Sequence, residues 1–393
     1  MPEEFAQRYV EVALALGRHR DGLIDAYYGP AELRERSEAM PVRPCDELGA
    51  AAKAMIGEID RSESGLGDVQ RESWMRAQLV GLATTAAVIG GESIDYLDEI
   101  EQCYQLRPQL ISDDEIAVAH RVLADSLPGT GTLESRVNKS RSNHVVDVDR
   151  MRSVIADLED DFRARTAALF SLPDGERVEF ELVTDQPWSG FNYYQGQLVS
   201  HVAINVDLPV TAMSLAHLVA HEAYPGHHTE SCLKEVGLFR ARSYLEESVA
   251  VIGTPSCVIA EGLADLGIEI LLGERWFDAV EPIFAASKVR FEVPEAEAMS
   301  SLSEASSRIR GRLSVMLHRD GIDVDEVERL AAKWLLVTPE RAKQMVRFLT
   351  DPTWRAYVFC YGEGVRLCRD FVQGDPRRFA RLLNEQLTPQ AIS

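Results

Sequence analysis

Five of the nine histidines fall between His201 and His228, and the densest stretch reads HEAYPGHH from His221 to His228. A histidine followed at once by a glutamate can open a metal-hydrolase helix. The imidazole ligates a divalent ion, a second histidine one turn later completes the pair, and the glutamate acts as base toward water that the ion acidifies. In this chain the second histidine is displaced, because the i+4 position is Pro225. On a regular helix of ~100° per residue His227 would point well away from His221, while His228 would face the same way but lie ~10 Å along the axis. Pro225 cannot donate a backbone hydrogen bond and disfavours helical geometry at Tyr224, and Gly226 admits almost any turn. Pro-Gly therefore reads as a two-residue bulge. Omitting those two residues brings His227 to i+4, which makes it the expected second ligand and His228 the alternative. His217, one turn before His221, offers a different i,i+4 pair, against which stands a packed or hydrogen-bonded helix histidine.

A third ligand has to come from another element. The stretch AEGLADLGIE supplies Glu261 and, four residues on, Asp265 on the same helical face. Glu261 would bind the metal, and Asp265 would accept the free ring N–H of a ligand histidine, fixing its tautomer and raising its basicity. Three protein ligands to one Zn²⁺ leave a position for water, with Glu222 placed to deprotonate it as it attacks a carbonyl.

The elements that must hold these residues are mostly helices. From Glu3 to about Leu127 apolar residues recur at three- and four-residue spacing, as at Phe5, Tyr9, Val12 and Leu16, with turns at Tyr28-Gly29-Pro30, Gly90-Gly91 and the PGTGT stretch from Pro128. A helix follows over DRMRSVIADLEDDFRARTAALF and is stopped by Leu172-Pro173-Asp174-Gly175. Alternation in RVEFELVTD and SHVAIN predicts a small antiparallel sheet over residues 177–206, joined by the aromatic loop that holds Trp188, Phe191, Tyr193 and Tyr194. Helical periodicity resumes at Thr211 and is interrupted at Gly253-Thr254-Pro255, Gly273, Pro294, Gly321, Pro339 and Pro352. The expected organisation is a helical lobe over residues 1–172 and a catalytic lobe over 173–393, the latter comprising the sheet, metal helices at 211–272 and C-terminal helices at 276–393, the two forming one continuous unit.

Composition narrows the function classes. A formal net charge of -22 across 393 residues argues against nucleic acid, and no apolar run approaches the ~18 residues of a membrane span. The N-terminus, MPEEFAQRYV, lacks the basic start and apolar run of a signal peptide, and the six scattered cysteines form no CxxC pair, so a cytoplasmic protein with reduced thiols is expected.

With HEAYPGHH, the EGLA stretch at Glu261, DAYYGP from Asp25 and CYGEG from Cys360, the chain resembles a large, mostly bacterial family of unknown function marked by HExxPGHH and a downstream EGxA. That family is regarded as gluzincin-like metallopeptidases. It usually has Trp where this chain has Leu263, and a late SYxxG where this chain has Cys360-Tyr361-Gly362-Glu363-Gly364. The resemblance implies a mainly α, gluzincin-like fold around a deep cleft, with a short sheet beside the metal helix, much as in helical metallocarboxypeptidases and oligopeptidases. Tyr361 is the expected donor to the tetrahedral intermediate, with Gly362 and Gly364 letting substrate approach closely. The resemblance places the RLSVMLHRDG segment near the active site, so that His318 would stabilise the intermediate and Arg312 would hold a substrate carboxylate. SHVAIN, ending at Asn205, is the expected edge for pairing an extended peptide. The function expected is a zinc metallopeptidase acting on short peptides. A zinc amidohydrolase or esterase acting on a small amide or ester, and a non-catalytic metal-stabilised binding module, are the alternatives.

Overall fold

The computed structural model describes residues 2–186 and 188–393. Seven helices precede the long one expected at DRMRSVIADLEDDFRARTAALF: α1 (Pro2–Gly17), α2 (Ala31–Ala39), α3 (Cys45–Asp60), α4 (Val69–Ile89), α5 (Tyr96–Tyr104), α6 (Asp113–Ser126) and α7 (Leu133–Asn143). The long helix is α8 (Val148–Phe170). Helix starts follow local capping chemistry. Asp68 and Asp147 accept backbone N–H groups at the starts of α4 and α8, and Ser112 with Glu115 forms a reciprocal capping box at α6.

Strand β1 (Ile24–Tyr27) lies inside the region expected to be wholly helical. Strands β2 (Arg177–Val183), β3 (Gly190–Gly196) and β4 (Val199–Asn205) follow α8. Then come α9 (Ala212–Glu222), α10 (His227–Lys234), a π-helical turn at Glu235–Arg240, a 3-10 turn at Leu245–Ser248, β5 (Val249–Val251) and α11 (Ser256–Leu272). The C-terminal part holds α12 (Trp276–Ala286), α13 (Val293–Ser300), α14 (Ser303–His318), α15 (Val324–Leu335) and α16 (Pro339–Thr350). It ends with α17 (Val358–Val372), α18 (Pro376–Asn384) and α19 (Pro389–Ile392). Among the described residues no helix is long and apolar enough to cross a membrane, and the six cysteines form no disulfide.

The expected antiparallel sheet is present in part. β3 and β4 form an antiparallel hairpin with Tyr193 opposite His201, but β2 joins the other side of β4 in parallel, Arg177 opposite Val199. The strand order β2-β4-β3 makes β4 central. What read as an aromatic loop is largely β3, because Gly190 and Gly196 bracket a β-prone run of aromatics. A second sheet pairs β1 with β5, antiparallel. These strands have four and three residues, too few for alternation to register.

One large apolar core runs from Phe5 on α1 to Ile392 on α19, so the N-terminal and C-terminal helices share it. A second core joins α8, the inner face of β4, α9, the end of α11 and α12, with Phe162, Val202, Val219 and Phe284 wholly buried. Between them α11 and α17 cross closely. A Cβ on Gly262 would sit 2.3 Å from the Gly364 carbonyl oxygen, and one on Gly364 would sit 2.5 Å from the Val258 carbonyl oxygen. Gly364 is therefore packed against a helix, and Gly362 faces Ser307 on α14, where an added Cβ would meet the serine at 2.8 Å. Both glycines serve backbone approach between helices, in contrast to the substrate approach expected of them. Gly364→Ala should force the two helices apart at a cost of about 1–3 kcal/mol, read as a lower Tm in thermal denaturation.

Candidate metal centre

Helix α9 starts at Thr211, whose side chain accepts from the Ser214 N–H, and runs to Glu222. It ends at Ala223 with φ −118° and ψ −84°, and the chain re-enters a helix at His227. The link between the two keeps a record of the interruption. The Gly226 N–H donates to the Ala220 carbonyl at 3.0 Å and the Thr229 N–H to the Ala223 carbonyl at 3.3 Å, each reaching six residues back where a regular helix reaches four. Two residues are thus looped out. Gly226 has no substitute in this geometry, since a Cβ there would lie 1.8 Å from the His221 carbonyl oxygen. Pro225 packs its ring against Gly267 of α11, where an added Cβ would come within 3.0 Å.

The result is a convergence of three side chains. His221 Nε2 lies 3.1 Å from His227 Nε2 and 3.3 Å from Glu261 Oε2, and His227 Nε2 lies 3.6 Å from Glu261 Oε1. Ligands ~2.0–2.1 Å from a tetrahedral zinc ion sit about 3.3 Å from one another, so the triangle has the dimensions of one face of a zinc site. Glu261 Oε2 is buried without a hydrogen-bond donor, a costly state that a cation would relieve. The donor set of two imidazoles and a carboxylate suits Zn²⁺. These residues fit the ion.

The surroundings orient each member. His221 Nδ1 is 2.8 Å from Asp265 Oδ1, the contact expected from the i,i+4 placement of Glu261 and Asp265, and it directs the Nε2 lone pair inward. Glu261 Oε1 accepts from the Tyr357 hydroxyl at 2.5 Å. Burial would raise the Glu261 pKa, but His227 and His221 hold it far below the usual carboxylate range. Burial opposes a proton on His221, yet the hydrogen bond to Asp265 and the nearby Glu261 carboxylate outweigh it and hold its pKa above the ordinary imidazole value. His217 also approaches Asp265, Nε2 to Oδ1 3.5 Å, and with His221 and Asp265 makes a second compact group. In that group the Asp265 oxygen is already shared with His221 Nδ1, and Glu261 has no part.

His228, the alternative second ligand, points the other way. Its Nε2 is 2.9 Å from Glu176 Oε2 and its Nδ1 2.8 Å from Ser200 Oγ, in a wholly buried network. Glu222 lies beside β3. Asn192 donates to its backbone carbonyl at 2.6 Å, and Gly190 leaves room for its carboxylate, since a Cβ there would be 2.9 Å from Oε1. Burial raises the Glu222 pKa, with His221 and His227 opposing. Tyr361 stacks near His221, with ring centroids 6.4 Å apart, and burial pushes its phenol well up, so it stays a proton donor.

His221, Glu222, His227, Glu261 and Tyr361 border one cleft of about 170 Å³, whose lining also includes the aromatic Trp188, Phe191 and Trp354 and the acidic Asp25, Glu230 and Glu247. Burial pushes the Asp25 carboxyl up to about 7, with His227 opposing and Glu261 and Glu222 adding to the rise.

Three expected site residues are not brought to this cleft. His318 donates its Nε2–H to the Leu349 carbonyl, 2.7 Å, and packs on Tyr96. Arg312 pairs with Asp113 at 2.6 Å and lies over the Trp334 ring. A two-residue step along α14 turns the helix by ~200°, and it is Arg310 that falls within the field of Tyr361 and Asp265. Asn205 spends its side-chain amide on the carbonyls of Gln186 and Trp188, 3.0 Å each, and its strand is central, so the free edge beside Glu222 belongs to β3. Tyr357, Asn192, Gly190, Asp25 and Glu176 were not singled out from sequence. Tyr357, one helical turn before Tyr361, and Asp25, inside DAYYGP, had a local signal; Glu176 had none. Asp265→Asn should leave the chain folded and weaken zinc binding about 10–100-fold, measured by competition with a chromogenic chelator.

No protein-family model and no curated protein matches the sequence, so the likeness to the HExxPGHH family rests on the motifs themselves. Among solved structures, the chain is similar to a "putative lipoprotein" from Colwellia psychrerythraea, at 14% identity and a TM-score of 0.55, over 88% of this chain and 68% of that one. A second "putative lipoprotein", from Shewanella oneidensis, matches at 13% identity and a TM-score of 0.49, over 93% and 78% of the two chains. An M32 carboxypeptidase from Deinococcus radiodurans R1 matches at 12% identity and a TM-score of 0.39, over 98% and 87%. The first likeness shows a shared, mainly helical fold, and the other two carry no argument about function.

Proposed function

We propose that the chain is a zinc-dependent hydrolase, and most specifically a metallopeptidase acting on short peptides. The observation that carries this reading is the triangle of His221, His227 and Glu261, with its unsatisfied buried carboxylate oxygen, opening onto the cleft that also holds Glu222. When bound, the ion supplies Lewis acidity toward a water and a substrate carbonyl. Glu222 takes the proton from the attacking water and returns it to the leaving amine. Tyr361 donates its phenolic hydrogen to the oxygen on which negative charge develops. Asp265 keeps His221 in the tautomer that faces the ion, and Tyr357 restrains Glu261.

Cleft dimensions support a short substrate. An extended chain would lie along β3, the edge strand next to Glu222, with its apolar parts against Trp188, Phe191 and Trp354. The same small volume suits a single amide or ester, which keeps a non-peptide amidohydrolase or esterase as the second reading. Purified protein is expected to hold about one zinc per chain. Glu222→Gln should keep that metal and lose ~10²–10⁴-fold in turnover, measured with a mixed peptide library run beside small amides and esters. Retained hydrolysis in this variant would sink the assigned base, and cleavage confined to the non-peptides would replace the peptidase with the second reading.

A further inference from the structure

The looped-out Pro225-Gly226 pair leaves a question that the triangle itself does not answer: what holds the interruption so that His227 meets His221. Tyr224, just before it, and His228, two residues after it, converge on one atom. The Tyr224 hydroxyl donates to Glu176 Oε2 at 2.5 Å, and His228 Nε2 lies 2.9 Å from the same oxygen. The Glu176 side chain is wholly buried, and its other oxygen accepts from Arg163 of α8 at 2.7 Å. The remaining nitrogen of His228, Nδ1, is 2.8 Å from Ser200 Oγ on β4, and the His228 side chain is also wholly buried. With Nε2–H donated to a carboxylate and Nδ1 accepting from a hydroxyl, neither nitrogen has a lone pair left for an ion.

We propose that Glu176, Tyr224 and His228 form a latch that sets the geometry of the metal triangle from behind, so that the second histidine of the HH pair is a positioning residue. This rests on the zinc reading above. Glu176 lies just before β2, so the latch ties the interruption to α8 through Arg163 and to the sheet through Ser200. His227, between the two gripped residues, faces the cleft because its neighbour on the C-terminal side faces the latch. Buried hydrogen bonds of this kind are satisfied on both sides, and removing one partner leaves a buried polar group exposed to no compensation.

The test is zinc affinity, measured by chelator competition on protein shown to be folded by circular dichroism. Tyr224→Phe and His228→Leu should each weaken zinc binding about tenfold or more, the range found when partners behind metal ligands are lost. His228→Gln, whose amide can still donate to Glu176, should recover part of the loss. Cobalt-substituted Tyr224→Phe should show a shifted d–d spectrum, and the core variant Leu48→Ala should lower Tm with neither affinity nor spectrum altered. If His228→Leu fails to fold, Tyr224→Phe decides the matter alone. Wild-type zinc uptake with unchanged affinity and spectrum in Tyr224→Phe overturns the latch and spares the metal reading. A wild-type chain that binds no zinc overturns both.

Discussion

The site depends on an interruption in a helix. His221 and Glu222 end α9, and a continuous helix would carry the next two histidines to places where they could not meet His221 over one ion. Looping out two residues restores the one-turn relation, as the six-residue backbone hydrogen bonds from Gly226 and Thr229 record. The geometry requires glycine, because the backbone of Gly226 passes directly over the His221 carbonyl. It also requires space on the neighbouring helix, which Gly267 provides for Pro225.

Helix α11 is the second organising element, since it meets the interruption and completes the site at once. Glu261 and Asp265 share one of its faces and divide the work on His221: Glu261 stands at Nε2 and Asp265 at Nδ1. One residue beyond Glu261, Gly262 lets α17 come close enough for Tyr357 to reach Glu261 and for Tyr361 to stand over His221. Backbone contact between α11 and α17 therefore aligns the carboxylate with both phenols. The same crossing explains why Gly364 of CYGEG is spent on packing, and Gly362 is spent likewise against Ser307 of α14.

Charge gives the arrangement its direction. Buried Glu222 and Glu261 are gathered with half-buried Asp265 and Asp25 in one region, where unpaired carboxylates are disfavoured. Histidines offset part of this charge, and a divalent cation would offset more, which is the electrostatic counterpart of the triangle's dimensions. On the opposite side of the interruption, Glu176 is compensated by Arg163, Tyr224 and His228 and leaves nothing for an ion to satisfy. The two buried carboxylates, Glu176 and Glu261, thus divide the adjacent histidines His228 and His227 between them.

Much of this was legible in the residues alone. Helical class followed from apolar spacing, the Pro-Gly bulge from the backbone limits of those two residue types, and the pairing of Glu261 with Asp265 from one helical turn. These are local properties, determined within about ten residues of chain. What separates His227 from His228 is the buried partner each can reach, and Glu176 lies 52 residues from His228. Arg312 and His318 looked suitable by type, but helix phase turned one to Asp113 and packing tied the other to Leu349. Asn205 fell on a central strand because β2, from the far side of an unpredicted strand, joined it in parallel. Sequence by itself determined the candidate ligand types and the place of the helix interruption; only the tertiary structure decided which side chains meet, because burial and hydrogen-bond partners come from distant segments.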